Sequence, residues 1–542
     1  MSEFKTDLAN NVFKFKYANY PEQTWAEKSR EIVQDICSDF MSEDDQYRLE
    51  KYIREKKFIP GGRYIYYAGK PAKFYNNCLL LKGEEDTREE WAALAHRSTA
   101  ALMSGAGIGI DYSVFRPEGS YLGRTGGEAS GPIPLMEAIN EIGRNVKQGG
   151  SRRSAIYASL NWKHDDAENF LAAKNWHEMY VGSTGYTIWD IKQQDFNYPG
   201  PLDMTNISLN YDDDFLNQKE LPKTFIENCR QALSTAEPGF SFNFGDKENE
   251  TLRNACTEVT SEDDSDICNL GSVNMGTIDS IEEMADVVYL ASQFLVCGTR
   301  VADLPYEKVY KIREKNRRLG LGLMGMHEWL LKKGYSYEVT PELHQWLQAY
   351  RYNSEEGANN LCDKLGINRP VAYRAIAPTG TIGILASTTT GIEPLFATAY
   401  KRRYLQGHTW KYEYVVDNTA KLMIDEYGVN PQDIETAASL AQTPEKRIKF
   451  QADVQDYVDQ AISSTINLPP WGSEWNNEDR VMDFAKTLRH YAPRLRGFTC
   501  YPDGARGGQP ITTVDYHEAL NHQGTVFEEN QESQCNSGVC GI

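Results

Sequence analysis

Three side chains with complementary chemistry lie close together in the stretch Asn254-Ala255-Cys256-Thr257-Glu258. If this stretch is extended, the amide of Asn254, the thiol of Cys256 and the carboxylate of Glu258 point to the same side, because side chains alternate along a strand. A general base, a hydrogen-bonding amide and a hydrogen-abstracting sulfur could then act on adjacent hydroxyls of a sugar. Taken alone, the pattern also fits a turn that buries a cysteine.

Two further cysteines stand beside asparagines and next to strand-like segments. Cys78 follows a pair of asparagines, and Cys268 begins the sequence Cys-Asn-Leu-Gly-Ser. If the fold brings the two thiols together, they could deliver two electrons and close a disulfide. Two separate buried cysteines are the alternative, because pairing cannot be deduced from sequence.

Cys535 and Cys540 lie in a polar stretch that ends the chain. Such a stretch offers little to bury a thiol, and no further cysteine or histidine pair lies nearby to complete a metal site. We therefore predict no metal site and favour a dithiol that exchanges with a buried disulfide. Incidental thiols in a mobile tail are the alternative.

Two loops have the composition of phosphate sites. The first loop combines glycine with hydroxyl side chains, which suit a phosphate group. An ordinary turn with no ligand is the alternative interpretation. The loop consists of Pro378, Thr379, Gly380, Thr381 and Ile382. The second loop also contains arginines, which could pair with phosphate or reach a nucleotide base. A solvated basic loop is the alternative interpretation. The loop includes Gln148, Gly149, Gly150, Arg152 and Arg153.

Strand-like runs alternate with helical patterns around these motifs, which is typical of the α/β class and most simply of a barrel-like sheet with helices outside. The strand-like runs are 75–81, 155–160, 239–244, 319–325 and 374–377, and the helical runs are 26–40, 43–57, 87–103, 134–146, 221–234, 281–304 and 341–366. The glycine run 104–109 closes a helix and leads into a strand, which is the wrong order for a dinucleotide fingerprint.

Composition excludes several classes of protein. The 542 residues carry a net charge of −20, which disfavours non-specific nucleic-acid binding. We see no signal peptide and no apolar run long enough to span a membrane, so the expected location is the cytoplasm. The ten cysteines are then not a disulfide scaffold, and those in helical stretches (Cys37, Cys229, Cys297 and Cys362) are explained by core packing.

Taken together, the motifs resemble the catalytic subunit of ribonucleotide reductase from about residue 58 to the end of the chain, including the stretch 317–322. The resemblance implies a ten-stranded α/β barrel with a central finger loop, and reduction of ribonucleotides to deoxyribonucleotides for DNA synthesis. Cys256 would be the thiyl radical that takes the ribose 3′-hydrogen, Glu258 the base and Asn254 the residue that holds the hydroxyls. Cys78 and Cys268 would be the reducing pair, and residues 378–382 the substrate-phosphate loop.

The resemblance also implies an allosteric deoxynucleotide or ATP effector near the predicted helices 87–103 and 134–146. Residues 104–111 and 126–128 resemble the approach to a first effector loop and residues 148–154 resemble a second, with Glu85 and Arg116 as further candidates. Residues 1–60 are expected to be a short helical region without a full ATP-cone, 61–520 the catalytic unit with effector elements at about 87–160, and 521–542 a flexible redox tail served by thioredoxin or glutaredoxin. A monomer and a homodimer both stay open.

The radical source is predicted from one stretch near the C-terminus. Relatives that receive the radical from a separate metal-containing subunit use two adjacent tyrosines, whereas here Tyr501 is followed by Pro502. This pattern favours the compact adenosylcobalamin-dependent class, including phage-type forms. A class with a separate radical-generating subunit, relayed through Tyr501, and a catalytically dead nucleotide-binding homologue are the alternatives.

Overall fold

A computed structural model describes residues 3–76, 78–146, 154–195, 197–406, 409–505 and 511–528. The α-helices in these ranges are α1 Asp7–Val12, α2 Trp25–Cys37, α3 Glu43–Arg54, α4 Gly62–Tyr67, α5 Arg88–Met103, α6 Ile133–Asn145, α7 Ala167–Ala172, α8 Ile188–Gln194, α9 Asp213–Leu216, α10 Lys223–Thr235, α11 Ile281–Val301, α12 Glu307–Asn316, α13 Met326–Lys332, α14 Pro341–Leu365, α15 Gly380–Ala386, α16 Asn418–Tyr427, α17 Ala437–Leu440, α18 Pro444–Gln455, α19 Val481–Tyr491 and α20 Tyr516–His522. The strands are β1 Phe58–Pro60, β2 Cys78–Lys82, β3 Gly107–Asp111, β4 Ile156–Asn161, β5 Thr205–Tyr211, β6 Gly239–Phe242, β7 Leu252–Arg253, β8 Thr260–Ser261, β9 Asp266–Asn274, β10 Leu319–Met324, β11 Ala399–Gln406, β12 Thr409–Val416, β13 Thr465–Leu468, β14 Gly497–Pro502, β15 Ile511–Thr513 and β16 Val526–Glu528.

The main sheet has ten strands in the order β1-β9-β2-β3-β4-β5-β6-β14-β13, with β10 also paired to β9. Strands β2 to β6 are parallel to one another. The pairs β9/β10 and β13/β14 are each parallel, but they run against this central group. The predicted α/β class is thus confirmed in its coarse form, a mixed sheet covered by helices.

Closure of this sheet into a barrel is not seen among the described residues. The predicted strand at 374–377 forms only isolated parallel bridges, Leu321 with Arg374 and Ile376 with Ile462. The reason is local, because the backbone N–H groups of Tyr373 and Arg374 donate to the carboxylate of Asp459 at 2.7 and 2.8 Å rather than to a strand. Residues 374–377 are thus extended and paired with Leu321 of β10 and with Ile462, through isolated bridges rather than a continuous ladder.

Alternation along the central strands separates an outer from an inner face. On β2, Leu79 and Leu81 join the large apolar core beneath the helices, whereas Leu80 belongs to a separate small cluster on the other side. On β3, Ile108 and Ile110 face the large core in the same way. Side chains at i and i+2 share a face of a strand, so Cys78 lies on the inner face with Leu80.

The helices follow the predicted apolar patterns closely, and each predicted helix overlaps an observed one. Thr87 caps α5, with the Glu90 N–H donating to its hydroxyl at 3.1 Å. The carboxylate of Glu90 does not complete the reciprocal cap; it accepts from the Glu84 N–H at 3.1 Å and from Arg97 at 2.7 Å. The four helical cysteines are buried in α2, α10, α11 and α14, as core packing predicts.

The first sixty residues pack on the sheet and share its core. Phe4, Phe13 and Trp25 form an aromatic cluster with ring centroids 5.3 to 6.1 Å apart. Helix α2 packs against α11, and β1 pairs with β9. This region contains the helices α1, α2 and α3, and β1 ties it to the main sheet.

A second sheet of four antiparallel strands has the order β15-β11-β12-β16. Strand β16 pairs with β12, and α20 packs on that strand. Residues 516–522 are helical and residues 526–528 are paired, so the part of the predicted tail up to residue 528 has regular structure. Cys535 and Cys540 lie outside the described residues. No helix within the described ranges combines the length and apolar character that crossing a bilayer requires.

Candidate active site

Asn254, Cys256 and Glu258 lie on a hairpin that is formed by the short strands β7 and β8. Leu252 pairs with Ser261 and Arg253 with Thr260. The expectation of an extended stretch is wrong, because residues 254–257 form a turn in which the Thr257 N–H donates to the Asn254 carbonyl at 2.9 Å and Thr257 has a φ of 70°. The three functional groups are thus grouped by a tight turn rather than by strand alternation.

The hairpin lies on the inner face of the main sheet. Its apolar side chains Leu252 and Val259 pack with Leu80 of β2 and Leu270 of β9. Its backbone lies directly on β3, since a Cβ atom added to Gly109 would fall 1.6 Å from the Arg253 carbonyl oxygen. The glycines of β3 therefore make room for the hairpin backbone.

Replacing Gly109 with Ala tests whether this close approach positions the catalytic turn. We expect Gly109→Ala to displace the hairpin, to destabilise the fold by about 3 kcal/mol and to lower turnover at least about 100-fold, because a shift of about 1 Å has that effect on catalytic groups. Thermal unfolding and steady-state turnover measure the two effects.

Gly107→Ala is the matched control on the same strand. Its added Cβ would lie 3.3 Å from the Ala155 carbonyl oxygen and 3.5 Å from Ala255 Cβ, so we expect an effect below about 1 kcal/mol and less than about tenfold on turnover. Equal effects of the two substitutions would show that the hairpin does not depend on its contact with Gly109.

Asn254 connects the hairpin to the cysteine of β2. Its side-chain Nδ2 donates to Cys78 Sγ at 3.3 Å, and its Oδ1 accepts from the Val259 N–H at 3.0 Å. The amide is fully buried. Both ends of the amide are thus engaged, which fixes its orientation between the turn and Cys78.

Glu258 is a buried carboxyl group with raised basicity. Burial raises the pKa of Glu258 to about 7, and hydrogen bonds from its own backbone and from Asn254 offset this only in part. Among the described residues, Oε2 of Glu258 has no hydrogen-bond partner. Its carbonyl oxygen accepts from the Ala461 N–H at 2.8 Å. A carboxyl group with a pKa near neutrality can accept a proton as a general base.

The predicted reducing pair meets on neighbouring strands. Cys78 of β2 and Cys268 of β9 are directly opposed in the antiparallel register, where Cα atoms lie about 4.5 to 5.5 Å apart. That separation is within the range for a disulfide. A hydrogen bond lies beside the two cysteines: Nδ2 of Asn76, two residues before Cys78, donates to Oδ1 of Asn269, which directly follows Cys268. Cys256 lies half-buried at the turn of the hairpin that faces this pair.

The predicted phosphate loop adjoins the hairpin cluster. Ala377 packs against the cluster of Leu80, Leu252, Val259 and Leu270. Pro378 then leads into Thr379, which has a φ of 53° and whose hydroxyl accepts from the Gly391 N–H at 2.8 Å. The space around Gly380 is open, because an added Cβ meets nothing within 4 Å. Residues Gly380, Thr381 and Ile382 form the first turn of α15.

Buried ion pairs at the base of the hairpin were missed in the sequence. Arg496 donates to Glu250 at 2.8 Å, and the Thr260 hydroxyl of β8 donates to the same oxygen at 2.8 Å. Although burial opposes its charge, Arg496 and Arg318 hold the pKa of Glu250 down at about 2. Arg318 also donates to Asp266 at 2.8 Å. Of these residues, only Arg318 could have been found from the sequence, because it lies in the stretch 317–322 that resembles the family. Isolated charged residues such as Glu250 and Arg496 look like ordinary surface positions in a sequence.

The remaining predicted site residues lie on other elements than the hairpin or outside the described ranges. Glu85 is exposed between β2 and α5, and next to it Asp86 pairs with Arg116 at 2.7 Å. Tyr501 lies half-buried on β14, opposite Asn467 of β13. Residues Gln148, Gly149, Gly150, Arg152 and Arg153 are not described, so their predicted effector role stays a prediction.

A buried carboxyl group of raised pKa and a thiol on a hairpin that covers the inner face of a mixed sheet, beside two cysteine positions that are opposed on adjacent strands, are typical of a thiol-dependent redox enzyme of the α/β class. The family model described as "Ribonucleotide reductase, barrel domain" matches residues 76–225, 242–366 and 364–501. These matches cover most of the chain, so the chain belongs to the ribonucleotide reductase family, and the prediction of that family is confirmed.

Curated relatives cover much of the chain at low identity. A Mycobacterium tuberculosis protein named vitamin B12-dependent ribonucleoside-diphosphate reductase is 26% identical over 97% of this chain and 83% of its own length. A Mycobacterium phage protein, provisionally named adenosylcobalamin-dependent ribonucleoside-triphosphate reductase, is 25% identical over 84% of this chain and 75% of its own. The ribonucleoside-diphosphate reductase large chain of Schizosaccharomyces pombe is 23% identical over 60% of this chain and 46% of its own.

Proposed function

We propose that this chain reduces ribonucleotides to 2′-deoxyribonucleotides through a radical on Cys256. The observation that carries the proposal is the bond from Asn254 Nδ2 to Cys78 Sγ at 3.3 Å. It joins the hairpin of Asn254, Cys256 and Glu258 to the strand pair of Cys78 and Cys268, so the groups that one ribose needs lie around one place. The main sheet, together with the bridges from Arg374 to Leu321 of β10 and from Ile376 to Ile462, would serve as the barrel that excludes water.

The atoms and electrons balance within this set of residues. Cys256 would remove the 3′-hydrogen atom from the ribose and return it at the end, so this thiol is not consumed. Glu258 would accept the proton of the 3′-hydroxyl and return it when that hydroxyl forms again, and Asn254 would hold the hydroxyl groups. Cys78 and Cys268 would supply two electrons and two protons; the C2′–O bond breaks, the oxygen leaves as water, a C2′–H bond forms and the cysteines close a disulfide.

The disulfide must be reduced again before the next turnover. Cys535 and Cys540 would reach it by thiol–disulfide exchange and would themselves be reduced by a thioredoxin or glutaredoxin in the cytoplasm. Residues 378–382 would bind the substrate phosphates. A deoxynucleotide effector would bind near α5 and α6, with the loop 148–153 linking effector identity to the substrate base.

Adenosylcobalamin is the radical source that this chain fits best. When bound, this cofactor would supply the radical chemistry that oxidises the Cys256 thiol. Cys256 is only half-buried at the turn whereas Asn254 and Glu258 are buried, so of these three residues it is the one most accessible from outside the hairpin. Tyr501 is followed in β14 by Pro502, and a proline offers no phenol for a relay of adjacent tyrosines. Relatives that are named for the cofactor support the same assignment.

Turnover of the purified chain with and without adenosylcobalamin tests the proposal. We expect formation of deoxycytidine phosphates from cytidine diphosphate or triphosphate with a dithiol reductant, and only when the cofactor is added. Turnover without the cofactor, upon addition of a metal-containing radical subunit, would instead establish the alternative class. Absence of turnover under both conditions, with nucleotide binding intact, would indicate a catalytically dead homologue.

A further inference from the structure

The predicted phosphate loop lacks a charge of its own. Residues 375–392 contain no lysine, arginine, histidine, aspartate or glutamate. Nucleoside diphosphates and triphosphates carry several negative charges at neutral pH. Hydroxyl and N–H groups can orient such an anion, but a cation close by strengthens its binding. A positive charge from another part of the fold would therefore strengthen binding at this loop.

Two cations near the loop are already neutralised. Arg447 donates to the carboxylate of Glu393, which directly follows the uncharged stretch. Lys332 forms an ion pair with Glu328 at 2.8 Å, and the same carboxylate accepts from the Thr388 hydroxyl. Each of these cations holds a buried or half-buried acid in place, so turning either of them toward a phosphate would leave that acid without its ion pair.

Lys16 reaches the loop from the other end of the chain. Its Nζ lies 3.3 Å from Thr381 Oγ1. Residues Phe13–Tyr17 form a short π-helix that follows α1, and α1 packs against α15. Single turns of π-helix occur frequently at functional sites. The contact thus joins residues that are separated by most of the sequence.

The backbone around Lys16 is held firmly. Phe13 and Tyr17, on either side, are each 1% exposed. Tyr17 lies against the start of α4, since a Cβ added to Gly62 would fall 2.8 Å from its hydroxyl oxygen. Lys16 itself is exposed between these two anchors. Its ammonium group is therefore positioned beside Thr381 while it keeps access to a ligand from solvent.

We propose that Lys16 binds the phosphate groups of the nucleotide substrate together with Thr381. The inference rests on the proposed function and adds a residue that the family match, residues 76–501, does not include. Lys16 is a binding residue rather than a catalytic one, because it lies at the phosphate loop and not at the hairpin. Its contribution is the same in the ground state and the transition state, so it lowers KM and leaves kcat unchanged.

Steady-state kinetics of Lys16→Gln with cytidine diphosphate and cytidine triphosphate test this assignment. With whichever substrate the wild type uses better, we expect KM to rise about five- to tenfold, as for loss of one partly exposed charged contact, with kcat unchanged. Lys16→Arg should recover most of the loss. The difference from wild type should shrink as salt is raised, because screening weakens exposed charge pairs.

Lys14→Gln is the matched control, since Lys14 is exposed in the same π-helix. It should leave KM within twofold of the wild type, and all three variants should unfold at the wild-type temperature. A KM for Lys16→Gln within twofold of the wild type, or a lowered kcat at unchanged KM, would overturn the inference alone. A wild type that turns over neither nucleotide would overturn the proposed function and this inference with it.

Discussion

Cys256→Ser should abolish ribonucleotide reduction, with a loss of at least about three orders of magnitude, while nucleotide binding survives. The reason is chemical, because an O–H bond is much stronger than an S–H bond and a serine cannot form the radical that removes the 3′-hydrogen. The substitution is nearly isosteric at a half-exposed turn position, so the hairpin should keep its shape. Product formation with adenosylcobalamin and a dithiol measures the loss, and equilibrium binding of the substrate measures what remains.

Cys362→Ala is the matched control for removal of a thiol. Cys362 is buried in α14, within the large core on the outer side of the sheet. Its loss should lower the unfolding temperature but leave turnover within about threefold of the wild type, because its effect is confined to core packing. Retained turnover in Cys256→Ser, under the same conditions, would remove Cys256 from the radical role.

The elements of the fold could be predicted from the sequence because their signals are local. The apolar spacing in α2, α11 and α14 and the threonine cap of α5 each depend on residues that are close in sequence. The opposed positions of Cys78 and Cys268 could be expected only through the family resemblance, since strands β3 to β8 lie between the two residues in sequence.

The geometry of the hairpin could not be predicted, because it depends on contacts that are distant in sequence. The turn at Thr257 replaces the extended stretch that the alternation of Asn254, Cys256 and Glu258 suggested. Gly109 fits a strand in the sequence, but nothing there shows that the Arg253 carbonyl lies against it. The pairing of Arg496 with Glu250 is invisible for the same reason. The relative positions of Asn254, Cys256 and Glu258 are thus set by contacts of the hairpin with the sheet, which the motif itself does not contain.

Turnover should depend on pH through Glu258. Burial raises the pKa of this carboxyl to about 7, and the general base must be ionised to accept a proton. We expect kcat/KM to rise about tenfold per pH unit below pH 7 and to level above it. Glu258→Gln should be slower by about two to three orders of magnitude, the range typical of a lost general base, and its profile should lack this rise. A wild-type profile that is flat between pH 5 and 8 would contradict the role.

The same group should make stability fall as pH rises. The neutral carboxyl is favoured in the folded chain, whereas the unfolded chain ionises near 4.5, so the unfolded state loses its proton first. The stabilisation is fully present below pH 4.5 and disappears between pH 4.5 and 7. Each pKa unit corresponds to about 1.4 kcal/mol, so the loss is about 3 kcal/mol. Glu258→Gln cannot ionise and should gain stability relative to the wild type by about this amount between pH 4.5 and 8, as measured by denaturant unfolding. If the free energy of unfolding of the two proteins has the same pH dependence, Glu258 ionises at its ordinary pKa in the folded chain. Burial would then not raise its pKa.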